Sequence, residues 1–411
     1  MRIPKVSVVM ASYNHRKYVT KAIDSVLAQT YDDWELIIID DCSSDDSAQL
    51  IGVYKDKRIT FYQAEENRGS VPTFNQLMSK AQGEYVAILG SDDIWYPNKL
   101  RKQVEYLDSH TDMGACFSYV EFIDEEGEKY SDKNMTDFNG NVFNQPNRTQ
   151  GECFRYFFQH ENYFCHPSSM VRRNVIKEIG NFDLRFRQLH DYHYWIRLLQ
   201  KYPVYIIQEP LTGYRRIIAH NKSVSASNEE NTIRHINESQ AIMYEMIKDM
   251  KREIFCEAFS DLLREKVEND IQLICEKYFI LLDWEILGIN NRQPAIRYLG
   301  EYINNPEVMR CLKEKYNYNL CDYYKETSSK LKLYPIQFYQ EYQETVNRYE
   351  NICGNQQRLC KELEERAKNY SDELNVMRQT TSWKVTRPLR EIKGVLKKSK
   401  KKPKYKGTAK K

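Results

Sequence analysis

The N-terminal part of the chain alternates between short, nearly continuous apolar runs and segments whose apolar residues recur at helical spacing. A continuous apolar run of this length is typical of a strand that is covered on both faces. Strands that alternate with helices predict βαβ units and a mainly parallel sheet, which is an α/β fold. The predicted strands are Lys5–Ala11, Trp34–Ile39, Arg58–Gln63 and Tyr85–Leu89, and the predicted helices run from Val19 to Leu27 and from Pro72 to Ala81.

Polar residues follow three of these strands at the point where each strand ends. Ser12, Tyr13 and Asn14 follow the first strand, the pair Asp40-Asp41 ends the second, and Ser91-Asp92-Asp93 ends the fourth. Ligands of open parallel sheets bind at the carboxyl ends of the strands. The sequence therefore predicts that these clusters converge on one edge of the sheet and form a site there.

The Asp92-Asp93 pair needs its own explanation, because adjacent carboxylates repel each other and resist ionisation. One interpretation is a helix cap, since Asp is a good N-cap and Pro97 suits a first helical turn. The other is a site for a divalent cation, which removes the repulsion and prefers oxygen ligands. The dipeptide alone favours the cap, whereas the convergence of polar clusters on one edge favours the cation.

The remaining chain changes character twice. Residues 114–227 are irregular and aromatic-rich, which is consistent with the second half of one domain, and residues 229–378 are rich in helix-forming residues. Residues 356–377 are strongly charged with few apolar positions, so a solvated helix is expected there rather than a coiled coil. We predict a first domain at 1–227, a helical C-terminal region at 228–378 and a basic tail at 379–411.

Composition excludes several classes of protein. With 41% hydrophobic and 29% charged residues, the 411-residue chain is expected to be globular. Its start lacks the layout of a secretory signal, and no apolar run approaches the ~20 residues that span a bilayer. The ten cysteines include no Cys-x-x-Cys pair, which argues against a structural zinc site or a disulfide framework and favours a reducing cytoplasm.

The C-terminal segment is a separate electrostatic object. Residues 387–411 contain 12 Lys and Arg and one acidic residue, Glu391, so this segment carries +11. Because the whole chain carries +3, the rest carries −8. Basic clusters bind anionic membrane surfaces at ~1 kcal/mol per residue, and the tract from Thr381 to Lys393 can form an interfacial helix, although Pro388 limits its length. A solubilising tail and a nucleic-acid-binding tail are the alternatives; we expect no nucleic-acid partner.

The stretches "VSVVMASYNHRKYVTKAIDSVLAQTYDDWELIIIDDCSSDDS" and "ENRGSVPTFNQLMSKAQGEYVAILGSDDIWYPNKL" together resemble the family-two inverting glycosyltransferases with the A-type nucleotide-sugar fold. The resemblance covers residues 3–225 and is nearest to bacterial enzymes of surface-polysaccharide assembly, including the SpsA-like type. It implies a Rossmann-like, mostly parallel sheet with helices on both faces. It also implies a metal-dependent transfer of a sugar from a nucleotide diphosphate donor to a hydroxyl group.

The resemblance assigns the nucleotide to the first two strand ends. Tyr13 resembles the residue whose ring packs on the base, a role that suits an aromatic face. Asp41 resembles the carboxylate that accepts from the base, and Asp40 is expected to serve the ribose or to act as a cap. Ala11 stands where relatives often have a polar residue, so uridine diphosphate is the expected nucleotide and thymidine diphosphate the alternative. Arg68 is a plausible diphosphate contact, because a guanidinium matches phosphate oxygens.

The resemblance also assigns the metal and the base. In Ser91-Asp92-Asp93, Asp93 is expected to bind Mn²⁺ or Mg²⁺ and Asp92 to face the ribose or a metal-bound water. Asp191, in "RFRQLHDYHYWIRLL", matches the catalytic Asp that deprotonates the acceptor hydroxyl. The alternatives are His190 or His193 as the base, or a purely capping role for Asp191.

The acceptor side is assigned from "FCHPSSMVRRNVIKEIGNFDLRF" and the helix after Asp191. His166, Pro167 and Ser168 are expected to line the sugar pocket, with His190 and Trp195 nearby, although Trp195 also suits the core. Arg215 or His220 is expected either to reach the diphosphate or metal or to have a simple structural role. The expected acceptor is a growing surface polysaccharide or a lipid-linked glycan, at the inner face of the membrane.

Two other functional classes compete with the glycosyltransferase. A sugar nucleotidyltransferase uses the same kind of sheet, but it would need a glycine-rich phosphate loop that "MASYNHRKYV" lacks. A non-catalytic glycan-binding or scaffolding protein would act through the helices after Glu229. The presence of Asp41, Asp93 and Asp191 together argues against that class.

Overall fold

The computed structural model describes residues 3–130, 142–216, 228–286, 289–290 and 292–328, together with residues 365–366, 368–369 and 372. The chain divides into two units, Met1–Pro335 and Ile336–Lys411. The strands and helices given below all belong to the first unit.

Eight strands form one sheet in the order β3-β2-β1-β4-β7-β6-β8-β5. Of the seven neighbouring strand pairs in this sheet, four are parallel. In the N-terminal half, β1 is parallel to β2 and β4, and β2 is parallel to β3. β6 and β8 are also parallel, whereas β7 and β5 pair antiparallel with their neighbours. The strands are β1 Val6–Ser12, β2 Trp34–Asp40, β3 Ile59–Gln63, β4 Tyr85–Gly90, β5 Ile94–Trp95, β6 Ala115–Ile123, β7 Met170–Arg172 and β8 Val204–Arg215, and a separate pair consists of β9 Glu285–Ile286 and β10 Ile289–Asn290.

Helices separate the strands and then continue beyond the sheet. In the sheet region they are α1 Val19–Leu27, α2 Ser47–Gly52, α3 Ser70–Lys80, α4 Lys99–Ser109, α5 Gln150–His160, α6 Arg173–Ile179 and α7 His190–Leu199, with a 3-10 turn at His166–Ser168. After it come α8 Glu229–Asp249, α9 Arg252–Phe259, α10 Asp270–Leu282, α11 Gln293–Tyr302, α12 Pro306–Tyr316 and α13 Leu320–Ser328. The strands and helices predicted for the N-terminal part are confirmed, with ends that differ by at most two residues.

Several helices begin or end where the sequence supplies a polar cap. At the start of α5, Thr149 accepts from the Glu152 amide while the Glu152 carboxylate accepts from the Thr149 amide, a reciprocal capping box. The side chain of Asn228 caps α8 by accepting from the Asn231 amide. These caps satisfy amides that have no partner within the helix.

The sheet has a hydrophobic core on each face, because successive strand residues point to opposite sides. On one face, Val8, Ile38 and Leu89 pack in a cluster that includes residues of α1 and α4. On the other face, Val9 and Ile88 join a cluster that includes residues of α3, α5 and α7. Each fully buried aliphatic side chain stabilises the fold by roughly 1.5–3 kcal/mol. The prediction of a mostly parallel sheet with helices on both faces is confirmed.

The helices after Asn228 share the second of these cores. Ile242, Met246 and Phe255, from α8 and α9, belong to the same cluster as Val9 and Trp195. The predicted boundary between residues 227 and 228 therefore does not separate two hydrophobic cores, and both sides of it lie in the unit Met1–Pro335. The sequence did not predict this apolar packing, because the many charged residues of these helices suggested exposure to solvent.

In the part of the chain that the structure describes, no helix combines the length and the apolar character that a membrane span requires. The predicted tail at 379–411 and the charged segment at 356–377 lie outside the described residues, apart from a few positions between 365 and 372.

Candidate active site

The carboxyl ends of three parallel strands lie side by side, as predicted. In the sheet register Ser12 is opposite Asp40, and Ala11 is opposite Gly90. The amide of Asp41 donates to the Ser12 carbonyl at 2.8 Å, which continues the β1–β2 ladder by one residue beyond the sheet. The segments that follow β1, β2 and β4 are thereby held together at one edge, which we call the donor edge.

Asp41 ties the donor edge to the turn before α3. Its Oδ1 accepts from the Arg68 amide at 3.1 Å and its Oδ2 accepts from the Gly69 amide at 2.8 Å. Gly69 has a φ of 87°, a conformation that a residue with a side chain rarely adopts. The Arg68 side chain is half exposed and its Nε lies 3.4 Å from a carboxylate oxygen of Glu66. Asp41 therefore fixes the backbone of Arg68 while leaving its guanidinium at the surface.

Tyr13 and Asp40, which were assigned to the nucleotide together with Asp41, differ in their surroundings. Tyr13 is 44% exposed, so its ring is available at the donor edge. Asp40 is fully buried, and its two oxygens accept from the amide and the hydroxyl of Ser43 at 2.8 and 2.6 Å. The two bonds within the loop and the complete burial of Asp40 favour its cap-like, loop-forming role over contact with a ribose.

Asp92 and Asp93 do not cap a helix. The next helix, α4, begins at Lys99 and is preceded by Asn98, while β5 starts directly after the pair. Asp93 lies in a tight turn in which its amide donates to the Gly90 carbonyl at 3.1 Å. Its carboxylate is 4% exposed, and its Oδ1 accepts from the Arg215 amide at 2.8 Å. The capping interpretation is therefore wrong, because β5 lies between the Asp pair and the start of α4.

Gly90 shows where the two carboxylates point. A Cβ on Gly90 would meet Asp93 Oδ2 at 2.5 Å and Asp92 Oδ1 at 3.0 Å, so oxygens of both side chains converge over this glycine. Burial, and then the charge of Asp92, raises the pKa of the Asp93 carboxyl well above its usual range. A buried carboxylate and a half-buried one with converging oxygens fit a hard divalent cation.

The protein alone would not complete the coordination of such a cation. Among the described residues, no group of three or more His, Cys, Asp or Glu side chains is arranged to hold a metal ion. Mg²⁺ is commonly held by one or two carboxylates together with phosphate oxygens of the substrate and water. The residues present therefore fit a metal that binds together with a diphosphate.

Arg215, at the end of β8, braces the turn that carries Asp93. Its Nε donates to the Asp92 carbonyl at 2.6 Å, and its Nη1 donates to the carbonyls of Asp124 and Glu125. The guanidinium also lies over the Tyr18 ring, 4.8 Å from its centroid. These contacts favour the structural role that the sequence analysis left open for Arg215. His220, the other candidate, lies outside the described residues.

His15 also contacts the donor edge, although sequence reasoning missed it. Its Nδ1 lies 2.7 Å from the hydroxyl oxygen of Ser91, the residue before the Asp pair. The contact crosses from the loop after β1 to the end of β4, which are neighbours only because of the sheet order. The sequence does show a histidine two residues after Tyr13, but its position along the chain does not identify Ser91 as its partner.

Asp191 lies in the first turn of α7, and Leu189 rather than Asp191 occupies the capping position. The Asp191 Oδ2 accepts from the side-chain amide of Asn162 at 3.2 Å. The side chain is partly exposed, yet the atoms packed around its carboxyl are close enough that burial raises its pKa above the ordinary value. Burial, and then the charge of Asp93, raises the pKa of the buried Cys165 thiol.

The predicted acceptor-side histidines form an aromatic cluster beside Asp191. The ring centroids of His166 and His190 are 5.5 Å apart, and Phe182 lies 5.6 Å from each. The Nε2 atoms of both histidines are buried and have no hydrogen-bond partner among the described residues. Burial, followed by the charge of His190, lowers the pKa of His166 well below its ordinary value, which favours the neutral form of this histidine.

Two other predicted acceptor-side residues lie inside the protein instead. Ser168 is fully buried, and its hydroxyl donates to the Cys165 carbonyl at 2.9 Å. Trp195 is 1% exposed and packs edge-on against Phe117, with centroids 4.9 Å apart. The expectation for Ser168 is corrected by this burial, because Ser168 is the buried last residue of the 3-10 turn. For Trp195, the burial agrees with the core position that the sequence analysis also allowed. Pro167 is also buried, and its carbonyl accepts from the Trp95 indole.

His193, an alternative base, points away from Asp191. It is 4% exposed, and its Nε2 lies 3.0 Å from an Oε2 of Glu245 on α8. His190 remains beside Asp191, with its Nδ1 3.2 Å from the Arg187 carbonyl. Asp191 and His190 are therefore the two candidates for a base that the structure keeps together.

Comparison with known proteins places the first half of the chain in one family. The model of the family described as Glycosyl transferase family 2 matches residues 7–180. An uncharacterized glycosyltransferase of Methanocaldococcus jannaschii is 36% identical over 219 residues, which are 52% of this chain and 71% of that protein. The putative teichuronic acid biosynthesis glycosyltransferase TuaG of Bacillus subtilis is 31% identical over 227 residues, 54% of this chain and 82% of the relative.

A solved structure supports the fold. Residues 1–349 of S. aureus TarS, in a crystal structure with UDP-GlcNAc, align with a TM-score of 0.50 and 16% identity. The alignment covers 78% of this chain and 89% of the TarS chain. At this identity the similarity concerns the architecture alone.

Proposed function

Because the chain belongs to glycosyl transferase family 2 and is therefore a transferase, we propose that it carries out a metal-dependent, inverting sugar transfer. The donor is a nucleotide diphosphate sugar. The acceptor is a hydroxyl group of a growing surface polysaccharide or of a lipid-linked glycan.

One observation carries this proposal: two acidic centres with different surroundings lie on either side of the same 3-10 turn. Asp93 follows β4 with a second carboxylate beside it, and Asp191 lies in the first turn of α7 without one. The Ile88 amide of β4 donates to the Ser169 carbonyl, directly after this turn, at 3.3 Å, and the His166 ring in the turn lies 5.5 Å from the ring of His190, the neighbour of Asp191. Sugar transfer needs an anion-handling centre for the leaving diphosphate and a base for the attacking hydroxyl, and this arrangement supports both.

The nucleotide is proposed to bind along the donor edge. The exposed ring of Tyr13 would pack on the base, and Asp41, held by the amides of Arg68 and Gly69, would accept from it. Arg68 is free at the surface to reach phosphate oxygens. We favour a uridine nucleotide, as in the TarS complex with UDP-GlcNAc, and thymidine diphosphate is the alternative because Ala11 offers no polar contact to the base.

Asp93, with Asp92 beside it, would hold Mn²⁺ or Mg²⁺ together with the two phosphates. When bound, such a cation supplies charge stabilisation for the departing diphosphate. The contribution of the chain is to orient the carboxylates: the Arg215 amide fixes Asp93 Oδ1, and the absence of a side chain at Gly90 leaves room for Oδ2.

Asp191 is proposed to act as the general base. The acceptor oxygen forms a bond to the anomeric carbon while the bond from that carbon to the diphosphate oxygen breaks, and the acceptor proton passes to the Asp191 carboxylate. The raised pKa of Asp191 makes it a better proton acceptor than an ordinary aspartate. His166 and His190, with unpartnered ring nitrogens beside it, are proposed to hydrogen-bond the acceptor sugar.

The acceptor class and its location follow from what the molecule resembles. TuaG, one of the relatives, is named for teichuronic acid biosynthesis. We propose that the basic segment 379–411 holds this chain at the cytoplasmic surface of an anionic membrane, where a lipid-linked glycan would be presented. The cysteines of the described part are all free thiols, which is consistent with that compartment.

The proposal is tested by thermal unfolding with uridine, thymidine and guanosine diphosphates, each with and without Mn²⁺. A ligand at 100 times its Kd adds ~2.7 kcal/mol to the stability of the native state, which raises the Tm by a few degrees. We expect one nucleotide to raise the Tm only when Mn²⁺ is present. The Asp93→Asn variant should lose this increase, because it removes a charged ligand.

Asp112→Asn is the matched control, since Asp112 is exposed and precedes the start of β6, away from the carboxyl ends of β1, β2 and β4. It should keep the full increase in Tm. If no nucleotide changes the Tm of the unmodified chain under any of these conditions, the catalytic proposal is rejected. A scaffold that acts through the helices after Asn228 then becomes the better explanation.

A further inference from the structure

The backbone immediately before α7 is held by a carboxylate from a distant helix. The amide of Arg187 donates to Glu238 Oε1 at 2.9 Å, and the amide of Leu189 donates to Oε2 at 2.7 Å. The amide of Gln188 lies between them, at 3.0 Å from Oε2 and 3.3 Å from Oε1. Glu238 is 6% exposed and lies on α8. Three consecutive amides therefore converge on one buried side chain.

This arrangement substitutes for a local cap. Helices usually start with a Ser, Thr, Asp or Asn whose side chain binds the first amides, but Leu189 occupies that position in α7 and makes no such bond. Consecutive backbone amides form a concave site for an anion, and a negative charge near the start of a helix is favoured by the helix dipole. The Glu238 carboxylate meets both conditions at the end of the helix that carries Asp191.

Helix α8 also holds Glu161, the neighbour of the residue Asn162 that contacts Asp191. Asn162 donates to the Asp191 carboxylate, and its neighbour Glu161 has a φ of 64°, a conformation that is rare without glycine. The Glu161 carboxylate lies 2.9 Å from His235 Nε2 and accepts from the Ser239 hydroxyl at 3.2 Å. Both partners are on α8.

His235, Glu238 and Ser239 occupy one face of α8, because residues three and four positions apart are neighbours on a helix. We call these three residues the α8 clamp. One part of the clamp fixes the start of α7, and the other fixes the segment from which Asn162 reaches Asp191. Both segments that determine where the Asp191 carboxylate lies are thus attached to the same rigid element.

We propose that Glu238 is a positioning residue for the transfer reaction: it holds the start of α7 so that Asp191 keeps its productive place. The inference rests on the proposed role of Asp191 as the base. Every Glu238 contact given above is to a backbone amide, so Glu238 acts through α7 and not on the reacting atoms. On this view α8 supports the catalytic site, whereas the helices after it are not required for the positioning of Asp191.

The test compares Glu238→Gln with a matched variant, Glu276→Gln. Glu276 on α10 is also fully buried, and its carboxylate also accepts from backbone amides, those of Arg264 at 3.0 Å and Glu265 at 2.7 Å. In each variant a neutral amide replaces the carboxylate and one oxygen acceptor becomes an NH₂ donor that faces amide donors. The two substitutions are chemically equal, but only Glu238 holds the segment before Asp191.

Turnover is measured as release of UDP from UDP-GlcNAc with Mn²⁺, with water as the acceptor. We expect kcat of Glu238→Gln to fall at least tenfold while its KM for UDP-GlcNAc stays within twofold, because the hydrogen bonds of Glu238 go to the segment before α7 and not to the donor edge. Glu276→Gln should keep kcat within twofold even if its Tm falls by a similar amount. Equal kcat values in the two variants would overturn the inference and leave Glu238 with a merely structural role.

Hydrogen exchange provides a readout that does not depend on turnover. In Glu238→Gln the amides of Arg187, Gln188 and Leu189 should exchange at least tenfold faster, while Glu276→Gln should change exchange only around Arg264. Unchanged protection of residues 187–189 in Glu238→Gln would refute the inference, including the case in which UDP-GlcNAc is not turned over.

The Asp191→Asn variant separates failure of the inference from failure of the proposed function. If Asp191→Asn turns over UDP-GlcNAc as fast as the unmodified chain, the proposed base is wrong, and with it the reason for positioning α7. If Asp191→Asn is inactive but Glu238→Gln retains full kcat, the proposed function stands and only the positioning inference falls.

Discussion

The donor edge and the Asp191 side of the site are built in different ways. At the donor edge the acidic residues lie within three positions of a strand end, as with Asp41 after β2 and Asp93 after β4. The sheet register fixes the neighbours of these strands. On the other side, Asp191 starts a helix, and its surroundings come from Asn162 and, through the backbone before α7, from Glu238. The first region is organised by backbone pairing, and the second by side chains from remote elements.

This difference determines how each region should respond to change. A parallel ladder fixes strand ends cooperatively, so the donor edge should tolerate the loss of contacts made elsewhere. The start of α7 depends on a few buried hydrogen bonds to charged groups, each contributing ~1.5–3 kcal/mol. Loss of one such bond should disturb the base and leave nucleotide binding intact.

The largest effect is expected for Asp191→Asn. The substitution keeps the size of the side chain and its bond with Asn162 but removes the proton acceptor, so turnover should fall by ~10²–10⁴-fold. The Mn²⁺-dependent increase in Tm with nucleotide should remain, because the donor edge is unchanged. Turnover is measured as UDP release and binding as the shift in Tm. Loss of the nucleotide-dependent shift would contradict the separation of the two regions.

The second largest effect is expected for Gly90→Ala, which disturbs the donor edge and not the Asp191 side of the site. The new Cβ would lie 2.5 Å from Asp93 Oδ2 and 3.0 Å from Asp92 Oδ1, so it must push both carboxylates aside. We expect the Mn²⁺-dependent shift in Tm to disappear and turnover to fall at least tenfold. Gly52→Ala is the control, since a Cβ there has nothing within 4 Å. A Gly90→Ala protein that still responds to Mn²⁺ and nucleotide would show that the carboxylates at this glycine do not hold the metal.

The smallest effect is expected in the pH dependence of kcat. Burial raises the pKa of Asp191, and the hydrogen bond from Asn162 partly opposes this by stabilising the charged form. The base must be ionised, so kcat should fall as the pH drops through a pKa above the ordinary ~3.9 of aspartate. In Asn162→Ala the pKa should rise further, which moves this acid limb to higher pH by less than one unit.

The profile is measured at saturating donor and Mn²⁺, so that it reports groups of the enzyme–substrate complex. Asn147→Ala serves as a comparison, since the Asn147 side chain bonds the backbone of Ile206 on β8. It should leave the acid limb in place. A limb that moves to lower pH in Asn162→Ala would contradict the assigned contact between Asn162 and Asp191.

Much of the donor edge was predictable, because it depends on local patterns. Apolar runs identify the strands, and polar residues after them lie at the same edge once the strands are parallel. Details that depend on side-chain partners were not predictable. Asp40 uses both oxygens within its own loop, and Ser168 is buried, because neighbouring residues in the fold already occupy the space around them.

The α8 clamp gave no sign in the sequence. Glu238 lies 49 positions from Leu189 and Ser239 lies 78 positions from Glu161, so no local spacing relates them. In a helix rich in charged residues, one more glutamate is expected to face solvent. Only the packing of α8 on the core shared with the sheet turns that face inward, where its carboxylate must find donors.

The sequence by itself determined the order of strands and helices, the edge at which polar residues gather, and the family to which the chain belongs. These follow from periodicity and from motifs in which neighbouring residues act together. The tertiary structure alone decided which carboxylates face inward, that the helices after Asn228 share the core of the sheet, and that α8 holds the start of the Asp191 helix. Such contacts join residues far apart in the chain, and they exist only after apolar burial has brought those residues together.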